Sequence, residues 1–339
     1  MKLLLIGFGT VGQGLAELLI DKENILKDKY GMTVQVVGIA DMLKGSVYNP
    51  GGVDLAQALK RAKGGEMIPG PAGGFDGDAL AMIKQAKADM MVEATYTDIK
   101  TGEPATSHIR AALEKGMHVT TTNKGPTALF LYELEQLAAK EGVEFLYEGT
   151  VMSGTPLLNL ARETLAGCRI TEAKGILNGT TNYILTRMEE GLSYEVALAK
   201  AQELGYAEAV PDADVLGWDA LAKVTIIANA IFGKKSTPED FPCKGITEIT
   251  AEAIAEAKSR GKRFKLIGKV WRDGDQIKAS VGPEEIDLSH PLAGIMGATN
   301  AVTLTTDILG DVTIVGPGAG RTETGYSTLV DIIHVGGKR

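Results

Sequence analysis

The sequence predicts an α/β fold. A doubly wound parallel sheet of the Rossmann type comes first, and an α+β domain is inserted ahead of a C-terminal helix that returns to that sheet. Three observations carry this expectation. The chain opens with an apolar run that ends in Gly7-Phe8-Gly9-Thr10-Val11-Gly12 and passes directly into helical spacing. Strand-like and helix-like stretches then alternate over the first half, which is the signature of a parallel sheet with crossover helices. In the second half the pattern changes to an Asn-Gly turn, a wholly apolar helix and long alternating strands.

Composition agrees with that architecture. With 339 residues and 44% hydrophobic content, the chain buries a substantial core, as two domains or as one with a large insertion. The 42 glycines and the scarcity of aromatic residues, 5%, suit tight turns and close backbone approaches. Thirty-five Lys and Arg against 43 Asp and Glu give a formal charge of -8, with both signs interspersed. Nothing in this distribution invites nucleic acid or an anionic membrane. Cys168 and Cys243 are the only cysteines, far apart and without metal-ligand spacing, which favours a reducing compartment. Glycines interrupt the apolar N-terminus too early for a signal peptide. No other apolar run approaches the roughly 20 residues of a membrane span, so a soluble, cytoplasmic protein is expected.

Taken in order, "KLLLI" is the first strand and the glycine loop follows it, with Leu15, Leu18 and Leu19 on one helical face. Gly7 permits the tight turn, Gly9 lets a pyrophosphate approach the backbone, and Gly12 lets the helix pack closely on the strand. Phe8, Thr10 and Val11 complete a loop whose helix N-terminus offers N–H groups to phosphate. The second strand, "TVQVVGIAD", ends at Asp41. An acid there bonds the adenosine ribose hydroxyls and repels a 2′-phosphate, favouring NAD over NADP, although Lys44 nearby blunts the preference. Residues 45 to 78 are rich in Gly and Pro and read as excursions at the domain edge around one helix, "LAQALKRAK". Two further strands fall in "MMVEATYTD" and "HVTTTNKG", with a helix between them that stops at Gly116. Thr95 and Lys124 then sit at strand ends on the rim of the glycine loop, where ligands gather in such sheets.

The second half opens with the strand "ITEAKGIL", an Asn-Gly turn and a helix whose start is marked by Thr180, Thr181 and Asn182. That N-terminus suits a substrate carboxylate as well as simple capping. An amphipathic helix stopped by Gly205 delivers the chain to "AEAVPDADVLGWDALAK", where Glu208, Asp212, Asp214, Asp219 and Lys223 precede the apolar helix "VTIIANAIF". Pro211 and Gly217 break regular structure before it. Asp219 and Lys223 are four apart, on one face of its first turn. Three readings stand: an exposed ion pair beside a solvated acidic loop, an oxygen-ligand set for a metal from Glu208, Asp212 and Asp214, or a proton-handling lysine oriented by an acid. Beyond lie two antiparallel strands joined at Asp273-Gly274, and a last glycine stretch, "GPGAGRTETGYSTLVDII", that leads into the return helix.

The segments "GFGTVGQG", "TTNK", "EGTVMSGTP", "GILNGTTNYILTRM", "GYAEAVPDADVLGWDALAK" and "GPGAGRTETG" together resemble homoserine dehydrogenase along essentially the whole chain. The resemblance implies reversible hydride transfer between L-homoserine and L-aspartate 4-semialdehyde with NAD or NADP, on the route to threonine, methionine and isoleucine. It implies a homodimer. A nucleotide domain would span 1–140 and be completed by 317–339, a dimerisation region would span 141–155 and 296–316, and a catalytic domain 156–295. Lys124 and Lys223 match the family's two active-site lysines, with Lys124 also beside the cofactor. Glu208, Asp214 and Asp219 match its substrate-site acids, and Thr180 lies at the substrate helix. Sodium is implied on Glu148, Val151, Ser153 and Thr155, mainly through backbone carbonyls. Val210-Pro211 stands where the family has Asp-Pro, which removes one carboxylate. With no kinase domain ahead and no regulatory domain after Arg339, feedback control by threonine is not expected.

Two other functions use the same glycine loop. A semialdehyde dehydrogenase working through a cysteine acyl intermediate requires an activated thiol, and neither cysteine falls on the nucleotide rim. A nucleotide sensor without chemistry explains Gly7 to Gly12 but leaves the lysines and acids without a shared task.

Overall fold

The computed structural model describes residues 1–69 and 74–337. Gly70–Gly73 of the Gly- and Pro-rich stretch, and Lys338 and Arg339 of the terminal segment, lie outside the described residues. The chain divides into two compact units, Met1–Gly154 with Gly320–Arg339, and Thr155–Ala319. Residues 141–154 thus belong to the first unit and 296–316 to the second.

The first unit is built on a six-stranded sheet. Its strands are β1 (Lys2–Ile6), β2 (Gln35–Asp41), β3 (Gly45–Tyr48), β4 (Met90–Glu93), β5 (His118–Thr121) and β6 (Phe145–Leu146), in the order β3-β2-β1-β4-β5-β6. All neighbours are parallel except β2 and β3. Leu3, Leu4, Leu5 and Ile6 are fully buried, as they must be in a strand covered on both faces. The strand β3 differs from the expected excursion. The Asp41 carboxylate accepts the N–H groups of Leu43 and Lys44 at 3.0 and 2.9 Å, and Gly45 turns with φ +82°. This brings Ser46, Val47 and Tyr48 back along β2 as an antiparallel edge.

The return helix Arg321–Gly336 lies against the first helix, Thr10–Asp21. Glycine makes the contact possible. A Cβ on Gly14 would stand 2.1 Å from the Arg321 carbonyl oxygen, and one on Gly325 2.6 Å from the Leu15 nitrogen. Arg321 closes the seam on Glu17 at 2.8 Å and Gln13 at 3.2 Å.

The second unit holds an antiparallel sheet of β7 (Ile170–Ile176), β8 (Lys262–Asp273), β9 (Gln276–Asp287), β10 (Thr299–Thr306) and β11 (Gly310–Pro317), ordered β11-β10-β7-β8-β9. The β8–β9 hairpin turns through Gly274, φ +60°. Helices Gly179–Glu189 and Trp218–Ala230 belong to this unit, the second so close to β8 that a Cβ on Gly268 would meet Val224 at 2.6 Å. A short helix, Asp212–Val215, forms where only broken structure was expected. Ile176, Ile267, Ile286, Leu292 and Ala301 form one of its cores. Beside it Lys265, 1% exposed, donates to Asn182 Oδ1 at 2.8 Å and to the Ile295 carbonyl. Burial, with the charge of Arg263, lowers its ammonium to about 8. No helix among the described residues is long and apolar enough to cross a membrane.

Candidate active site

In the first unit, the three glycines of the opening loop meet different constraints. Gly7 has φ +94°, and a Cβ there would lie 2.4 Å from the Ala94 carbonyl oxygen. A Cβ on Gly12 would lie 2.4 Å from the Gly7 oxygen, whereas one on Gly9 would meet nothing within 4 Å. Two glycines therefore hold the turn and the helix tight, and the third leaves the backbone open. No side chain caps the helix that begins at Thr10 and Val11, so its first N–H groups are left for an anion. That cradle fits the pyrophosphate of a dinucleotide.

Asp41 does more here than its position in the sequence suggested. Besides Leu43 and Lys44, its carboxylate accepts the Phe8 N–H at 2.7 Å, tying the end of β2 to the glycine loop. Thr95 follows β4, and its N–H donates to Glu93 Oε1 at 3.2 Å. Half-buried Lys124 opens the helix Lys124–Leu129, capped by Asn123 Oδ1 on the Gly125 N–H at 3.1 Å. The Asn123 amide also donates to the Tyr96 carbonyl at 2.9 Å, joining the loops that carry Thr95 and Lys124.

Glu148, Val151 and Ser153 are buried in the same unit, and Thr155, also buried, begins the second. Met152 and Ser153 both take left-handed backbone, φ 58° and 55°, which is uncommon for residues with side chains. No group of three or more His, Cys, Asp or Glu among the described residues could hold a metal ion. A cation on this stretch would rest chiefly on backbone and hydroxyl oxygens, a donor set that suits a hard ion.

In the second unit, the opening turn of the helix Trp218–Ala230 assembles the acids and the amine. Lys223 Nζ donates to Asp219 Oδ2 at 2.8 Å and to the Leu177 carbonyl at 2.7 Å. The two side chains are 8% and 16% exposed, so the solvated surface pair is not what the chain forms. The cause is the helix itself: Ala220 to Ala228 are all buried, and Lys223 falls among them. Asn178 is the hub. Its amide nitrogen donates to Asp214 Oδ1 at 2.6 Å and to Asp219 Oδ2 at 2.9 Å, while its oxygen caps the helix Gly179–Glu189 by accepting the Thr181 N–H at 2.9 Å. Burial and the neighbouring Asp219 charge push the Asp214 carboxyl above the ordinary range, and Asn178, Lys223 and Thr180 pull it partly back.

The helix start therefore belongs to Asn178. Thr180, Thr181 and Asn182 stand in the first turn, and the Thr180 hydroxyl donates to the Tyr206 carbonyl. Asn178 was legible only as part of an Asn-Gly turn. Asn300, whose amide donates at 2.9 Å to the same Leu177 carbonyl that holds Lys223, gave no signal in sequence. Glu208 and Asp212 are exposed and outside this hydrogen-bonded cluster, so the three-carboxylate ligand set does not assemble. Val210 is exposed, ahead of the short helix that carries Asp214. Burial raises the Cys243 thiol, the opposite of what an acyl-forming nucleophile needs.

Comparison with known proteins bears on both halves. The homoserine dehydrogenase family profile matches residues 156–333. The NAD(+)-dependent homoserine dehydrogenase of Pseudomonas canavaninivorans is 49% identical over 336 residues, covering 98% of this chain and 96% of its own. The homoserine dehydrogenase of Methanocaldococcus jannaschii is 42% identical, covering 99% and 98%. A hyperthermophilic archaeal homoserine dehydrogenase solved in complex with NADPH superposes with a TM-score of 0.84 at 30% identity, over 98% of this chain and 96% of that one. The chain belongs to the homoserine dehydrogenase family.

Proposed function

We propose that this chain interconverts L-homoserine and L-aspartate 4-semialdehyde with a nicotinamide dinucleotide, on the way to threonine, methionine and isoleucine. The observation that carries the reading is the buried Lys223–Asp219–Asn178–Asp214 network, for which a structural role alone gives no reason. Paired charges are costly to bury even when their hydrogen bonds are satisfied, and apolar residues of the same volume often serve stability as well or better. The nicotinamide, when bound, supplies the hydride acceptor or donor. Lys223 exchanges the proton of the reacting hydroxyl, and Asp219 holds its ammonium in line. Asp214 and Glu208 receive the substrate ammonium; Glu208 lies exposed before Pro211. Thr180 borders the carboxylate end.

Gly7 to Gly12, with Thr95 and Lys124, form the cofactor side. NAD is the preferred cofactor, because Asp41 presents a carboxylate where NADP carries a phosphate. Its backbone bonds to Phe8, Leu43 and Lys44 fix that carboxylate in place. Sodium, implied by family resemblance, is assigned to the oxygens of Glu148, Val151, Ser153 and Thr155. The active form is a homodimer in the cytoplasm; the free state of both cysteines suits a reducing compartment.

Lys223→Ala tests the proton-transfer role. Its kcat should fall by about 10²- to 10⁴-fold, with NAD+ affinity measured by calorimetry unchanged. Turnover equal to the parent protein would end the assignment.

A further inference from the structure

We propose that Glu93 is a positioning residue for the cofactor: it accepts the hydrogen bond of the Thr95 hydroxyl and so presents Thr95 Oγ1 to the nicotinamide nucleoside as an acceptor alone. This rests on the reading of the first unit as the NAD(P)-binding unit. Glu93 ends β4 and is fully buried, and the network around Lys223 makes no use of it. A buried carboxylate needs donors, and this one collects them from the loop that follows β4 and from the last residue of β5. Its Oε1 accepts the Thr95 N–H at 3.2 Å and the Thr95 hydroxyl. Its Oε2 accepts the Thr121 hydroxyl at 3.1 Å. His108, buried on the helix Ala105–Glu114, stands with Nδ1 3.7 Å from Glu93 Oε1, and that nitrogen has no hydrogen-bond partner among the described residues.

Direction follows from counting protons. A hydroxyl has one hydrogen and two lone pairs. The carboxylate, an acceptor only, consumes the hydrogen, and Thr95 keeps lone pairs for whatever approaches from outside. Thr95 borders the glycine loop: its nitrogen is 2.8 Å from where a Cβ on Gly7 would stand. The matching donors on the cofactor are a ribose hydroxyl or the carboxamide N–H₂ of the nicotinamide nucleoside. Thr121 carries the same order onward. Its hydroxyl oxygen accepts the Asn123 N–H at 3.0 Å, and Asn123 caps the helix that begins at Lys124.

The test is a double-mutant cycle on NAD+ binding, read by calorimetry without homoserine, with Glu93→Met, Thr95→Val and the pair. Met keeps the length of Glu93 but offers the Thr95 hydroxyl no acceptor, so that hydroxyl turns its hydrogen outward. Gln would not serve, because its oxygen stays on the Thr95 N–H and its amide faces Thr121, whose hydroxyl has the Glu93 backbone carbonyl as a second acceptor at 3.1 Å. Each single variant should weaken NAD+ about tenfold, the worth of one hydrogen bond, and the pair no more than the weaker single. In turnover, KM for NAD+ should rise while KM for homoserine stays. Unchanged NAD+ affinity in Glu93→Met, or losses that multiply in the pair, would overturn the proposal. Should Glu93→Met not fold, Thr95→Ser against Thr95→Val decides: Ser must keep the affinity that Val loses, and equal affinities reject the acceptor role. A parent protein that binds NAD+ but leaves homoserine unoxidised would remove the assigned reaction, while the cycle would still decide the role of Glu93.

Discussion

Two half-buried carboxylates and a buried amine meet in one network around Asn178, and the fold shifts the proton affinity of Asp214. Burial and the Asp219 charge raise its carboxyl, so the folded chain holds that proton more tightly than the unfolded chain does. The stability this group contributes is complete below the ordinary carboxylate value of about 3.9 and is lost as pH rises through the raised folded value. Asp214→Asn has no proton to lose and escapes that cost. Its melting temperature at neutral pH should exceed that of the parent protein, by a margin that vanishes on going to about pH 3, while its turnover of homoserine falls. A melting temperature below the parent's at neutral pH would mean that Asp214 stabilises the fold as an anion. The i,i+4 spacing of Asp219 and Lys223 was legible in sequence because helical period alone sets it. The Asn178 hub and the Asn300 contact depend on residues 36 and 123 positions apart meeting, which no local pattern encodes.

Among the elements, the glycine loop was legible because Gly7 and Gly12 each meet a backbone constraint that is written in the motif, and Gly9 leaves the backbone open between them. The strands β3, β10 and β11 were not. In β3 a Gly- and Pro-rich setting masks a four-residue edge. In β10 threonines share both faces with aliphatics, and β11 opens on Gly310 and closes on Gly316 and Pro317, residues that read as turn. The edge strand β11 bears on the proposed dimer. It pairs on one side only, with β10, and carries exposed Val315, while Ile308 and Leu309 are exposed at the turn before it. An unpaired edge with apolar side chains is a surface that proteins usually cover. If β11 is the dimer contact, Val315→Glu should sediment with the mass of one chain where the parent protein sediments with that of two. A variant that remains dimeric would place the contact elsewhere.

At the scale of the molecule, the insertion of one unit into another was legible from the position of two glycine-rich stretches at opposite ends of the chain. The reason is physical: the return helix needs Gly325, and the first helix Gly14, to approach as closely as they do. Where the insertion starts and stops was less legible, because residues 141 to 155 show no break in composition, while the structure divides after Gly154. On the proposed reading each unit carries one half of the reaction's requirements: the first has the open glycine cradle, and the second has the Lys223–Asp219–Asn178–Asp214 network. A sensor needs only the first half. The measurement that separates these readings is the absorbance of reduced nicotinamide when the purified protein is mixed with L-homoserine and NAD+, with NADP+ in parallel. Homoserine-dependent reduction, faster with NAD+, is the expected result; a folded protein that binds NAD+ yet reduces neither cofactor would contradict the account.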